Sequence, residues 1–410
     1  MSAATLPHPR AAPVGTLRSP WLHVGRAAAA LAAAMGVGRF VYTPILPLMH
    51  AQAGLSAGSG AHLATANYVG YLAGALAGIL APALVRSPAV LRGSLLVLTA
   101  TLAAMPLTHS ASGWMALRLL AGVSSALIFV IAAASLLGHL RDHPAHLSGW
   151  AFGGVGAGIA LSGLLVLVLR SVADWQVAWW ASAALAALFA AASWNLRPEP
   201  PPETPLGAAA RTRAREPRTR GRFATLFACY TLEGVGYIVA GTFLVAAIEQ
   251  SSPGWIGSGA WVLVGLAAVP SSALWAWLGR RRSRPALLCA ALVVQAAGIA
   301  LPALIGGVCA ALVSAFLFGA TFIGVSTLVL AAGADLRFPR SVALLTAGYS
   351  VGQILGPLIV TPLLHHGYHR ALVLAAVVVL AAAVAAGALQ VRGAADASGG
   401  GGRTLASWDE

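Results

Sequence analysis

The sequence predicts an all-α polytopic membrane protein, with twelve transmembrane helices laid out as two six-helix repeats, and three observations carry that prediction. Of the 410 residues, 59% are hydrophobic and 9% charged, whereas a soluble domain carries about 25% charged residues. Twelve near-continuous apolar runs reach the roughly 20 residues that a helix needs to cross a ~30 Å hydrocarbon core. These runs are rich in Ala and Leu and do not alternate apolar with polar in ~10-residue segments, which excludes an outer-membrane barrel.

In chain order the expected spans are 23 to 48, 60 to 84, 90 to 108, 113 to 138, 147 to 170, 175 to 195, 222 to 248, 257 to 279, 286 to 305, 307 to 332, 341 to 364 and 369 to 391. The first contains GVGRFVYTPILPLM, residues 36 to 49, an arginine and two prolines inside an apolar helix. Its opening AAAALAAAMG resembles a leader, but the apolar run continues well past the small-residue site, so a span is expected there. Pro44 and Pro47 are expected to break this helix and let its far part bend. Short arginine turns join the second span to the third, LVRSPAVLR, and the eighth to the ninth, LGRRRSRPAL. Trp175, Trp179 and Trp180 in the sixth span, and Trp261, Trp275 and Trp277 in the eighth, read as interfacial anchors.

The net charge is +14, and every basic residue is arginine. A nucleic-acid partner is not expected, because the charge lies almost wholly in loops on one side of the spans, as the positive-inside rule describes. The tails, the turns and the cluster Arg211 to Arg222 fall on that side, while the opposite loops hold only Arg170 and Arg370. Both termini are therefore expected in the cytoplasm of a bacterial inner membrane. Without lysine the chain has no P-loop, so ATP drive is excluded; no H-E-x-x-H or clustered acids suggest an enzyme. Cys229, Cys289 and Cys309 fall on separate spans and read as small packing residues. His139, His143 and His146 form one loop cluster and His365, His366 and His369 another, and with almost no acids beside them they read as solvated histidines; no metal or other cofactor is expected.

The longest polar interruption, residues 196 to 221, is Pro-rich and then Arg-rich, and reads as a flexible linker. The expected organisation is an N-terminal tail at 1–22, a six-helix bundle at 23–195, the linker at 196–221, a second bundle at 222–391 and a C-terminal tail at 392–410. Shifting the chain by 198 residues lays Gly36-Val37-Gly38 on Gly234-Val235-Gly236 and the Gly154/Gly158 pair on Gly352/Gly356, so one register satisfies both ends of the repeat.

Over essentially its whole length the chain resembles the major facilitator superfamily. GVGRFVYTPILPLM, ANYVGYLAGALAG at 66 to 78 and LEGVGYIVAGTFL at 232 to 244 are similar to its YbfB/YjiJ-type branch. Arg118 and Gly122 resemble the superfamily's fourth-helix Arg-x-x-x-Gly motif, which implies that Arg118 points inward and takes part in coupling. The resemblance implies the major facilitator fold and transport. The loop after the second span lacks the usual Gly-x-x-x-Asp, and the fifth span lacks the proline of the antiporter signature.

Arg39, Arg118 and Glu233 are the ionisable residues other than histidine deep in the spans. Each costs at least ~2.5 to 3.5 kcal/mol to insert, so each is a functional candidate by default. Glu233 is expected to respond to protons, with Arg39 as its counter-ion or as an anchor for an anion; a static pair locking the helices is the competing reading. At helical spacing, Tyr42 and Thr43 join Arg39 on one face, Asn67 and Tyr71 share another, and Tyr230 and Tyr237 accompany Glu233. Thr346, Tyr349, Ser350 and Gln353 line the eleventh span. The expected function is proton-coupled secondary transport of a small organic solute by alternating access, by a monomer whose partners are substrate, protons and the lipid bilayer. A non-transporting sensor or scaffold with the same fold is the alternative.

Overall fold

The computed structural model describes residues 20–140, 146–198, 217–336, 338 and 340–400. Residues 1–19 of the expected N-terminal tail, most of the linker, residues 401–410 of the expected C-terminal tail and His143 lie outside these residues, and nothing is described of the His146 side chain.

Twelve helices among the described residues are long and apolar enough to cross a membrane. They are α1 (Pro20–Ala53), α2 (Ala57–Leu80), α3 (Pro88–Leu107), α4 (Ala111–Leu136), α5 (Gly149–Leu169), α6 (Trp175–Ser193), α7 (Pro217–Ser251), α8 (Ile256–Leu278), α9 (Arg284–Leu304), α10 (Val308–Asp335), α11 (Ser341–His366) and α12 (Tyr368–Val391). All twelve expected spans are present, and strands are absent among the described residues. Side-chain caps set several starts: Ser56, Ser87 and Ser110 accept from the backbone N–H three residues on, satisfying donors that a helix start leaves open.

α1 is not one regular helix. An α-helical piece, Pro20–Leu31, passes into a π-helical turn, Ala32–Val37, and regular helix resumes only at Tyr42. Gly38 and Phe40 donate five residues back, to Ala33 and Met35. The break therefore precedes the prolines, contrary to the sequence expectation. Pro44 sits in the first turn of the resumed helix, where its missing N–H costs nothing. The prolines fix where helix restarts; the π turn is what gives way.

Glycines let the helices approach. A Cβ on Gly36 would lie 2.5 Å from the Cα of Gly158, joining α1 to α5, and under the 198-residue register Gly234 and Gly356 seat α7 against α11. Gly74 and Gly122 do the same between α2 and α4. α5 and α8 make the most extensive helix pair, Gly149, Gly153, Gly156 and Gly163 facing Ala273, Val269, Gly265 and Val262 along their length. Such small-residue seams suit helices in lipid, where close contact rather than water exclusion drives association.

Two stretches are buried on every face: residues 36 to 46 of α1 and residues 233 to 248 of α7. Both lie in the halves of these helices away from the arginine-rich end. Toward that end, burial on α1 and α7 alternates with exposure. The two six-helix halves thus enclose α1 and α7 most completely at the end opposite the arginines.

The tryptophans depart from expectation. Trp175, Trp179 and Trp261 are buried, and Trp275 donates to the Ala320 carbonyl at 2.8 Å. Among the six only Trp180 and Trp277 are exposed. Trp175 and Trp179, one turn apart, share the bundle-facing side of α6, while Trp180 is carried ~100° round the axis.

Candidate functional site

The break in α1 creates the site. Where the helix leaves regular geometry, the carbonyls of Gly38 and Arg39 turn away from their usual partners. Arg118 of α4 reaches across and donates to both, Nη1 to Gly38 O at 3.1 Å and Nη2 to Arg39 O at 3.2 Å. Its guanidinium carbon lies 4.9 Å from the centre of the Tyr42 ring. Gly122 lets α4 close on α2 at Asn67, whose Nδ2 donates to the Arg118 carbonyl at 2.9 Å. Arg118 thus points inward and holds the break open, and Asn67 ties α2 to α4.

Arg39 projects from the break toward the other half. Nη2 donates to Gln353 Oε1 of α11 at 2.7 Å, and Gln353 Nε2 donates to the Tyr237 hydroxyl of α7 at 3.1 Å. The guanidinium carbon lies 4.5 Å from the centre of the Tyr71 ring and 4.7 Å from that of Tyr68. Nε and Nη1 have no hydrogen-bond partner among the described residues, although Arg39 is only 2% exposed. A buried donor left unpaired is costly, and Arg39 carries two.

Two further bonds cross between the halves at this level. The Thr43 hydroxyl donates to the Gly241 carbonyl at 2.5 Å, and Tyr68 and Thr242 share a hydroxyl bond of 2.8 Å. Thr43 and Gly241 are 198 residues apart, the repeat spacing. Equivalent positions of the two repeats therefore touch, which places the pseudo-twofold axis between α1 and α7.

Glu233 is fully buried, yet it does not meet Arg39. Its neighbour Cys229 donates Sγ–H to Ala382 of α12, and Gly236 packs on Ala375 and Val379 of the same helix. That side of α7 is rotated by roughly 40 to 60° from Tyr230 and Tyr237 at 3.6 residues per turn. Gln295 of α9 faces Glu233, but neither side chain makes a hydrogen bond of good geometry with any group among the described residues. The direct pair raised from the sequence is absent: Arg39 leans on glutamine and tyrosine, and the carboxylate lies inside the second half.

The tyrosines form a ladder. Tyr230 stacks on Tyr349 with ring centres 4.3 Å apart, and Tyr349 on Tyr237 at 5.4 Å, each pair within 13° of parallel. Phe322 closes edge-on against Tyr237 at 5.3 Å and against Phe40 at 5.2 Å. Thr346 lies half-buried one turn from Ser350 toward the arginine-rich end. Tyr68 and Gln295 are the members that sequence reasoning missed. Each had a signal: Tyr68 stands one turn before Tyr71, and Gln295 is a lone amide in an apolar span.

The family model described as "Uncharacterised MFS-type transporter YbfB" matches residues 31–387. Among curated proteins, none matches the sequence. A crystal structure of a point mutant of the nucleoside transporter NupG superposes with a TM-score of 0.70 at 14% identity, over 90% of this chain and 100% of that one. At that identity the likeness speaks for the fold. The chain belongs to the major facilitator superfamily, in its YbfB-type branch.

Proposed function

We propose that the protein is a proton-coupled secondary transporter that moves a small organic solute across a bacterial inner membrane by alternating access. Both termini lie in the cytoplasm in this reading, and the monomer is the working unit. One observation carries it: where α1 and α2 face the second half, three breakable hydrogen bonds cross between the halves, Arg39 to Gln353, Thr43 to Gly241 and Tyr68 to Thr242.

The closure at the end opposite the arginines fits a conformation facing the cytoplasm. That end is latched by the Arg170–Glu249 ion pair at 3.2 Å and by Tyr368 bonded to His50 at 2.6 Å, each joining one half to the other. Rocking of the halves about the α1–α7 contact would undo these latches and open the far side. Glu233 is the proton-responsive group. A carboxylate buried without cation or donor is expensive when charged, so its ionisation is tied to conformations that bring water or a counter-charge to it.

In proteoliposomes, solute uptake should follow an imposed pH gradient, and Glu233→Gln should retain solute exchange while losing the response to the gradient. Unaltered gradient-driven accumulation by the glutamine variant would remove Glu233 from the coupling. Binding without flux under any gradient would favour the sensor or scaffold reading.

A further inference from the structure

The charge inventory around the α1 break does not close. Arg39 and Arg118 stand together, Arg118 gripping the backbone carbonyl of Arg39 itself, and neither has a carboxylate partner among the described residues. The acids within the spans lie elsewhere: Glu249 pairs with Arg170, Asp335 with Arg284, and Glu233 faces Gln295. Buried cations are normally paired. Among the described residues no carboxylate supplies the counter-charge for these two arginines.

The donors specify its shape. Both Nη groups of Arg118 are committed to carbonyls, leaving only its Nε, whereas Arg39 keeps Nε and Nη1 unpartnered. Nε–H lies beside Nη2 and Nη1 beside Cδ, so these two donors face different edges of the guanidinium and each offers a carboxylate one oxygen contact. Around those donors the walls are flat: Tyr68, Tyr71 and Phe40 lie against the guanidinium, and the ladder runs on from Tyr237 through half-buried Tyr349 to Tyr230. Stacked rings favour a planar conjugated body over an aliphatic one of equal volume.

We infer that the transported solute is an aromatic acid, its carboxylate received by the Arg39 guanidinium and its ring by the tyrosines. Arg118 is a positioning residue that keeps the break in place. The inference rests on the transport reading for the word transported, but the binding chemistry stands apart from it.

The test is isothermal titration of the full-length protein in nanodiscs, at one pH, with benzoate, cyclohexanecarboxylate, benzyl alcohol and benzylamine. Benzoate should bind best, cyclohexanecarboxylate a few-fold more weakly, and the neutral and cationic analogues at least about tenfold more weakly, as loss of a charge-assisted contact implies. Arg39→Gln should cost benzoate about tenfold or more. Tyr71→Leu, which leaves the cation in place, should erase the preference for benzoate over cyclohexanecarboxylate and so serves if the arginine variant does not fold. Equal binding of benzylamine or benzyl alcohol, no binding by any of the four, or an unchanged preference in the tyrosine variant overturns the inference. Tight benzoate binding with no flux in proteoliposomes would sink the transport reading and leave this one standing.

Discussion

α1 and α7 occupy equivalent places in the two repeats, yet one is broken and the other is a continuous helix from Pro217 to Ser251. Four of the differing positions bear on the break. α1 has Arg39, Thr43, Pro44 and Pro47 where α7 has Tyr237, Gly241, Thr242 and Val245. The prolines deprive α1 of donors that α7 retains, and the π turn takes up the mismatch. On the neighbouring helix, Gly122 packs against the Asn67 carbonyl as Gly319 packs against that of Val264, so Arg118 has Ala315 as its counterpart, a buried cation in one half and a buried methyl in the other. Duplication supplied the frame, and divergence put the permanent charges in one half and Gln353, Tyr237 and Glu233 in the other. In the function proposed above, one repeat would recognise solute and the second would respond to protons.

The largest effect should come from removing the support of the break. Arg118→Leu leaves the Gly38 and Arg39 carbonyls unpaired in the interior, at about 1–3 kcal/mol each, whereas Phe316→Leu, on the exposed face of α10, should stay within about 0.5 kcal/mol. Thermal unfolding in nanodiscs reads both, and equal losses would erase the asymmetry. A smaller contrast tests the backbone itself. Thr242→Pro puts a proline into unbroken helix and should cost about 3 kcal/mol, while the reciprocal Pro44→Ala, in a first turn, should cost under about 1 kcal/mol.

The sequence made the scaffold legible because each span must satisfy its own backbone in lipid, so length and hydropathy alone report it. The repeat register was equally readable, since Gly36, Gly158, Gly234 and Gly356 mark contacts where no other residue fits. Side-chain partners were harder to read. Arg39 and Glu233 lie at similar depth, but depth does not fix azimuth, and a turn of roughly 40 to 60° about α7 sends the carboxylate toward α9 and α12 instead of the α1 interface. Trp179 and Trp261 misled for a related reason: tryptophan prefers interfaces on average, whereas these two fill the interior near Tyr42 and Phe40.

The most direct test of the account is a pair of distances measured by electron–electron double resonance between spin labels on the two halves. One pair, at Leu107 and Ile305, reports the end opposite the arginines; the other, at Leu80 and Val342, reports the arginine-rich end, and all four residues are exposed. Recorded in nanodiscs at two pH values, with and without benzoate, the two distances should move in opposite senses, one end opening as the other closes. Distances that stay fixed, or that lengthen together, would contradict a molecule that rocks about the contact between α1 and α7.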